Sequence, residues 1–309
     1  MLAVSSISLS YEKPVLSNVS LSIVGSEIIG LVGKSGAGKS SLLKIMAGIM
    51  DQDSGDVFLD GKLQPKSSLR LIPGTKGIEL VNQDFKLDIY HTVDENIRES
   101  ILYLPNTQRE QRVEQMLSLF ELKLLRHKKA HLLSGGEQQR LALARAVAKK
   151  AKVLLLDEPF AHLDGRLRIK LTNYLLKIRE KEGIAIVIVS HDGQEILGVS
   201  DTVCILKNGR LSRKKSLLDA YYNPSSKSDA LFFGPINSIV LNGKRVLFRP
   251  DEYKLNSSGE IPLYFIRSLF LGSIYYNYFY TLTKEELVLV SINPLNNITA
   301  MRASFKTPK

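Results

Sequence analysis

The chain has 309 residues, of which 44% are hydrophobic and 24% are charged, and its formal net charge is +11. These proportions are typical of a soluble globular protein, and the length favours two domains. No apolar run reaches the roughly 20 residues that a membrane-spanning helix needs, and the first residues do not resemble a secretion signal. The single cysteine, Cys204, excludes an internal disulfide and a cysteine metal site, and we expect it to be a small buried residue in a reducing cytoplasmic setting.

The positive charge leaves two interpretations open. It fits a nucleic-acid or anionic-membrane partner, or an ordinary solvated surface. The densest basic clusters, Lys128-Lys129 and Arg213-Lys214-Lys215, are short, which favours the solvated surface.

The first 30 residues predict short strands, and the last of these leads into a glycine-rich loop. The loop reads Gly33-Lys34-Ser35-Gly36-Ala37-Gly38-Lys39-Ser40. It fits the P-loop pattern G-x-x-x-x-G-K-[ST], and the helix predicted from Ser41 to residue 47 is ended by Gly48. Glycines let backbone N–H groups converge on a phosphate at the helix N-terminus. We therefore expect this loop and Ser41 to bind a nucleotide, with Lys39 on the β- and γ-phosphates and Ser40 on Mg²⁺.

The middle of the chain changes from strand to helix patterns. Residues 56–62 predict a strand that ends in an Asp-Gly-Lys turn. Apolar residues at helical spacing then predict helices between residues 83 and 134; they are Val93, Ile97, Val113, Met116, Leu117, Phe120 and Leu124.

A second candidate anion site begins the next helix. Its sequence is Leu133-Ser134-Gly135-Gly136-Glu137-Gln138-Gln139-Arg140. Ser134 and Glu137 form a capping box, and the two glycines expose N–H groups at the positive end of the helix.

An acidic pair follows the next predicted strand. The apolar run at residues 153–156 is typical of a buried parallel strand, and Asp157 and Glu158 end it. Asp157 is placed to contact Mg²⁺, and Glu158 to accept a proton from an attacking water.

Taken together, residues 133–140 upstream of Asp157 and Glu158 resemble the signature motif of ATP-binding-cassette (ABC) ATPases. The resemblance implies that Tyr11 stacks on adenine, that Gln83 senses the metal and the attacking water, and that His191 contacts the γ-phosphate. It implies a loop between subunits that ends at Leu163-Asp164. It also implies that the signature residues of one subunit close over the ATP of another; we assign them as Ser134, Gly135, Gly136 and Gln139.

The chain departs from this pattern within the loop between subunits. Residues 161–164 read Ala-His-Leu-Asp, where similar importer ATPases have Ser-Ala-Leu-Asp. We expect His162 to be a surface or interface residue and not a second catalytic histidine. Residues 84–90 remain open to two interpretations, contact with a permease's coupling helix or packing within the helical subdomain.

After residue 236 the pattern is all-β. Short strand-like runs recur at residues 238–241, 245–248, 263–269, 273–280 and 287–292, which predicts a small barrel. Residues 247–252 resemble the segment that opens the regulatory TOBE barrel of importer ATPases. The aromatic run at residues 275–280 is more typical of a half-buried strand than of a base-stacking platform, and we expect no nucleic acid partner.

The predicted fold is an α/β P-loop NTPase of the ABC type, with a RecA-like core, a helical subdomain at about residues 84–145 and a small C-terminal OB-like barrel. The domains are residues 1–235 and 236–309. The expected function is that of an ATPase subunit, homodimeric on the cytoplasmic face of the membrane, that drives import through permease subunits fed by an extracytoplasmic solute-binding protein. The alternative is a non-transport ABC ATPase acting on the ribosome, DNA or cell-envelope machinery, or an exporter.

Overall fold

A computed structural model describes residues 2–161, 163–241, 243–256, 261–295 and 301–305. The chain divides into two compact units, residues 1–217 and residues 218–309. The domain boundary predicted after residue 235 marks the end of the nucleotide motifs, and it stays a prediction. Residues 218–235 pack with the second unit.

The first unit alternates strands and helices. Its strands are β1 (Leu2–Ser10), β2 (Pro14–Ile23), β3 (Ile28–Val32), β4 (Ser54–Leu59), β5 (Lys62–Leu63), β6 (Ile78–Val81), β7 (Val153–Asp157), β8 (Ala185–Ser190), β9 (Thr202–Lys207), β10 (Arg210–Leu211) and β11 (Lys215–Ser216). Its helices are α1 (Lys39–Met46), α2 (Val93–Glu99), α3 (Asn106–Leu119), α4 (Gly135–Ala148), α5 (Gly165–Glu182) and α6 (Gln194–Leu197).

The larger sheet of the first unit positions the site. Its strand order is β10-β9-β3-β8-β7-β6, and β11 pairs with β9. Strands β9, β3, β8, β7 and β6 run parallel. Every residue of β3 and β8 is buried, as expected for parallel strands with both faces covered. The carboxyl ends of β3, β7 and β8 therefore lie side by side, which is where open parallel sheets bind ligands.

A second, antiparallel sheet packs into the same core. Its order is β2-β1-β4-β5, and its inward residues join those of α1 and the larger sheet in one hydrophobic cluster. The turn predicted after residue 59 is present, because residues 60–61 connect β4 to β5, and residues 208–209 connect β9 to β10 in the same way. All four of these residues have positive φ. Cys204 lies in this core, 1% exposed, and burial raises the pKa of its thiol to about 11.

The predicted helical segment contains α2, α3 and α4. The apolar residues predicted for its inner face are buried, except Leu124, which is fully exposed. The prediction that Leu124 continues the apolar face of a helix was wrong. Helix α3 ends at Leu119, and Glu121 adopts a left-handed conformation with φ 55°. Leu124 consequently lies in a separate short turn, residues 123–125.

The second unit is rich in strands. Short helices α7 (Leu217–Tyr222) and α8 (Lys227–Ala230) precede β12 (Asn237–Leu241), β13 (Lys244–Phe248), β14 (Tyr253–Asn256), β15 (Ile261–Phe270), β16 (Tyr275–Thr281), β17 (Glu286–Ser291) and β18 (Met301–Phe305). Strands β12 and β13 form a hairpin, and the other five pair in the order β14-β18-β15-β16-β17. The Asn237 side chain joins β12 to Val288 of β17 through bonds of 2.7 and 2.9 Å. This arrangement is consistent with the predicted small barrel.

Candidate functional site

The P-loop lies between the end of β3 and the start of α1, as predicted. Gly36 and Gly38 have φ of 79° and 95°, a region that glycine enters without strain. A Cβ atom on Gly38 would lie 2.9 Å from side-chain atoms of Val15 and Leu16, so this position also needs glycine for space. The loop is thereby held in a tight curve at the N-terminus of α1.

Lys39 is almost buried and points back across the loop. Its Nζ donates to the carbonyl oxygens of Gly33 at 2.8 Å and Lys34 at 3.1 Å, and it lies 3.5 Å from Oε1 of Glu158. These contacts hold the ammonium group inside the curve of the loop, where the motif predicts the β- and γ-phosphates.

Ser40 and Asp157 meet at the ends of α1 and β7. The Ser40 Oγ donates to Oδ1 of Asp157 at 3.0 Å. Burial raises the pKa of the Asp157 carboxyl, although the Ser40 hydrogen bond opposes this effect. Two oxygen ligands side by side, one of them a desolvated carboxylate, fit a hard divalent cation such as Mg²⁺.

Glu158 and His191 form a contact that the sequence analysis did not predict. The Oε2 atom of Glu158 lies 2.7 Å from Nδ1 of His191, and Glu158 is largely buried whereas His191 is about half exposed. Glu158 has φ 51°, a strained conformation for a residue that is not glycine, and such strain concentrates at functional sites. The sequence shows only that each residue follows a strand; the contact depends on β7 and β8 being adjacent parallel strands, which the structure shows.

Gln83 and the signature residues line one cavity of about 520 Å³ together with Asp157 and Glu158. The signature residues at its edge are Ser134, Gly135, Gly136, Glu137 and Gln139. The predicted capping box is present, and the Ser134 N–H donates to the Glu137 carboxylate at 2.8 Å. The bare start of α4 therefore opens onto a cavity that also reaches the acidic pair.

The remaining predicted residues lie in different surroundings. The Tyr11 side chain is 64% exposed and its hydroxyl lies 3.6 Å from Sδ of Met50. Gln139 is buried, and its amide donates to the carbonyl oxygen of Pro159. Its predicted contact with ATP stays a prediction, as do the roles of the other site residues.

The predicted loop between subunits leads into α5. Asp164 caps this helix by accepting from the Leu167 N–H at 2.8 Å. His162 lies outside the described residues.

The geometry is that of an ATPase of the ABC class, in which a P-loop, an acidic pair after a buried strand and a glycine-rich helix start at α4 share one unit. The sequence profile of the ABC transporter family matches residues 16–161. The chain belongs to the ABC transporter family, as an ATP-binding chain that hydrolyses ATP.

Two import ATP-binding proteins are similar to most of this chain. The chain is 34% identical over 267 residues to the sulfate/thiosulfate import ATP-binding protein CysA of Vibrio cholerae, an alignment that covers 82% of this chain and 69% of that protein. It is 36% identical over 247 residues to the spermidine/putrescine import ATP-binding protein PotA of Thermotoga maritima, covering 79% of this chain and 66% of that protein.

A solved structure gives the same fold. The ATP-binding cassette MJ0796, a dimer in a post-hydrolysis state bound to ADP and Pi, aligns with a TM-score of 0.63 and 29% identity over 70% of this chain and 99% of that chain. None of the helices in the described part of the chain combines the length and the apolar composition of a membrane span.

Proposed function

We propose that this chain is the ATP-hydrolysing subunit of an ABC importer. The observation that carries the catalytic part is that Glu158 contacts both Lys39 and His191 at the carboxyl edge of the sheet. Its Oε1 lies 3.5 Å from Nζ of Lys39, and its Oε2 lies 2.7 Å from Nδ1 of His191. The importer part rests on the two curated relatives, both of which are import ATP-binding proteins.

Each of the site residues has a separate role in ATP hydrolysis. Lys39 and the N–H groups of the P-loop hold the phosphates, and the positive charge offsets the charge that develops on them during phosphoryl transfer. Glu158 accepts the proton of the attacking water. His191, held by Glu158, would donate a hydrogen bond to the γ-phosphate.

Mg²⁺ is the metal that the donor set would hold. Ser40 and Asp157 would supply oxygen ligands, with Gln83 nearby on the cavity wall. When bound, the ion neutralises phosphate charge.

A second copy of the chain is the proposed partner at the site. The signature residues of α4 provide N–H groups at a helix N-terminus, and they would close over the ATP bound by the partner's P-loop. Tyr11, with its exposed ring, would stack on the adenine. MJ0796 forms a dimer in its ADP- and Pi-bound state, which supports this arrangement.

The dimer would lie on the cytoplasmic face of the membrane, bound to permease subunits that receive solute from an extracytoplasmic binding protein. The two relatives carry names for chemically different solutes, an inorganic anion and polyamines. The transported solute is therefore left open.

The replacement Glu158→Gln tests the catalytic assignment. It keeps the size and hydrogen-bonding capacity of the side chain but removes its basicity, so we expect kcat for ATP hydrolysis to fall by about 10²- to 10⁴-fold. ATP binding should persist, because the P-loop and Lys39 are unchanged.

Both quantities are measured on the purified full chain, by phosphate release and by equilibrium binding of labelled ATP. The control is Glu180→Gln, which removes an exposed carboxylate from α5 and should leave both quantities unchanged. A Glu158→Gln variant that turns over at the normal rate would refute the assignment.

A further inference from the structure

The turn that carries His191 is fastened by a buried serine. Ser190 is the last residue of β8 and is completely buried. Its Oγ donates to Oε2 of Glu195 at 2.6 Å and accepts from the Asp192 N–H at 3.0 Å. The residues before and after His191 are thus held by one hydroxyl group.

Glu195 fixes the direction of that hydroxyl. It lies in α6 and is 7% exposed, so its carboxylate needs partners within the protein. One oxygen accepts the short bond from Ser190, and the other lies 3.3 Å from Nη2 of Arg168. A short hydrogen bond from a hydroxyl to a buried carboxylate is among the stronger ones in proteins. Because the hydroxyl proton points to Glu195, the Ser190 oxygen is oriented to accept from the Asp192 N–H.

Arg168 brings a second element to this group. It lies in the first turn of α5, and its backbone N–H donates to the carbonyl oxygen of Asp164 at 2.9 Å. Asp164 also caps α5 and ends the loop that the family pattern assigns to the contact between subunits. A displacement of this loop would therefore move Arg168, and with it one partner of Glu195.

Ser190 also contacts the P-loop. Its carbonyl oxygen accepts from the Gly33 N–H at 3.3 Å. The same residue thus touches the start of the phosphate-binding loop, the turn with His191 and the carboxylate held by α5.

We propose that Ser190 and Glu195 are positioning residues that set the His191 ring against Glu158, and that Arg168 couples their position to the loop ending at Asp164. The proposal rests on the role assigned to His191 above. It adds a path from the subunit-contact loop to that histidine.

The first experiment compares the variants Ser190→Ala, Ser190→Thr and Glu195→Gln in the full chain. Ser190→Ala removes the hydroxyl, whereas Ser190→Thr keeps it. Glu195→Gln keeps the shape but removes the charge that binds Arg168. We expect kcat for ATP hydrolysis to fall by about 10- to 100-fold in Ser190→Ala and Glu195→Gln, with a change in KM for ATP of less than about threefold. Ser190→Thr should retain most of the activity.

A second measurement separates positioning from general loss of structure. The protein has five histidines, so ¹⁵N-labelled histidine gives a small set of ring signals, and the signal missing in His191→Ala is that of His191. In Ser190→Ala and Glu195→Gln we expect the chemical shift of the His191 ring to change while those of the other four histidines do not. The melting temperature should stay within a few degrees of the wild-type value.

An unchanged His191 signal, or an unchanged kcat in both variants, would overturn the proposal. A different result would refute the role proposed for His191 in hydrolysis, namely ATP turnover at the normal rate by the His191→Ala variant. The ring signal would then still report whether Ser190 and Glu195 hold the histidine.

Discussion

Asp157 shows how a residue suited to bind a cation destabilises the protein without one. Burial disfavours the ionised carboxylate and raises its pKa above the ordinary value of 3.8. A carboxyl with a raised pKa in the folded state stabilises the fold fully below its unfolded value, and that contribution is lost as the pH rises through the folded value. At neutral pH the folded protein therefore bears the unfavourable ionisation of Asp157.

The replacement Asp157→Asn should consequently stabilise the ligand-free protein at pH 7, by about 1–4 °C in melting temperature, while abolishing ATP hydrolysis. The advantage should shrink as the pH falls towards 4, because wild-type Asp157 becomes protonated. Thermal melts in chelator across this pH range measure it, with the exposed-site variant Asp56→Asn as control. A lower melting temperature for Asp157→Asn at pH 7 would contradict this account.

At the scale of residues, the sequence alone locates the motifs, but it does not predict all the contacts between their side chains. The P-loop, the acidic pair and the signature residues were predictable because each follows a strand or starts a helix in a recognisable pattern. The contact between Glu158 and His191 needed the order of strands in the sheet. The bonds among Ser190, Glu195 and Arg168 depend on side-chain directions that no local pattern contains.

At the scale of elements, Arg249 explains why residues 218–235 belong to the second unit. The residue follows β13 and is completely buried. Its guanidinium donates to four carbonyl oxygens, those of Tyr221, Ala230, Gly234 and Pro235, and it stacks 4.0 Å from the Tyr221 ring. It therefore ties α7, α8 and the segment before β12 to the strands. The end of the nucleotide motifs could not reveal this, because Arg249 reaches back along the chain.

The replacement Arg249→Met should destabilise the second unit by about 3 kcal/mol or more, because it leaves buried carbonyl groups without donors. Limited proteolysis read by mass spectrometry should show faster cleavage within residues 218–305, and calorimetry a lower melting transition. Arg245→Met, at an exposed position in β13, should change neither. Equal resistance of the two variants would contradict the structural role given to Arg249.

At the scale of the whole molecule, the proposed function gives the chain two halves of a nucleotide site. The P-loop side contains Lys39, Asp157 and Glu158, and the signature side is the start of α4. In the family pattern, the P-loop side of one copy pairs with the signature side of a second copy. Because the complete site then needs a dimer, the rate of ATP hydrolysis should rise more steeply than linearly with protein concentration. Motif order predicts this organisation. Strands β14 and β18 were not predicted, although their sequences alternate apolar and polar residues, because runs of four and five residues are too short to stand out by this pattern alone.

The central claim is that ATP turnover by this chain drives a membrane importer. Its most direct test is affinity purification of the Glu158→Gln variant from the source organism's membranes with ATP, with ADP as the matched control, and identification of the proteins recovered. We predict ATP-dependent recovery of a multi-span permease, whose binding protein would then identify the solute. Recovery of ribosomes, DNA or no membrane protein would contradict the claim and favour the non-transport ATPase.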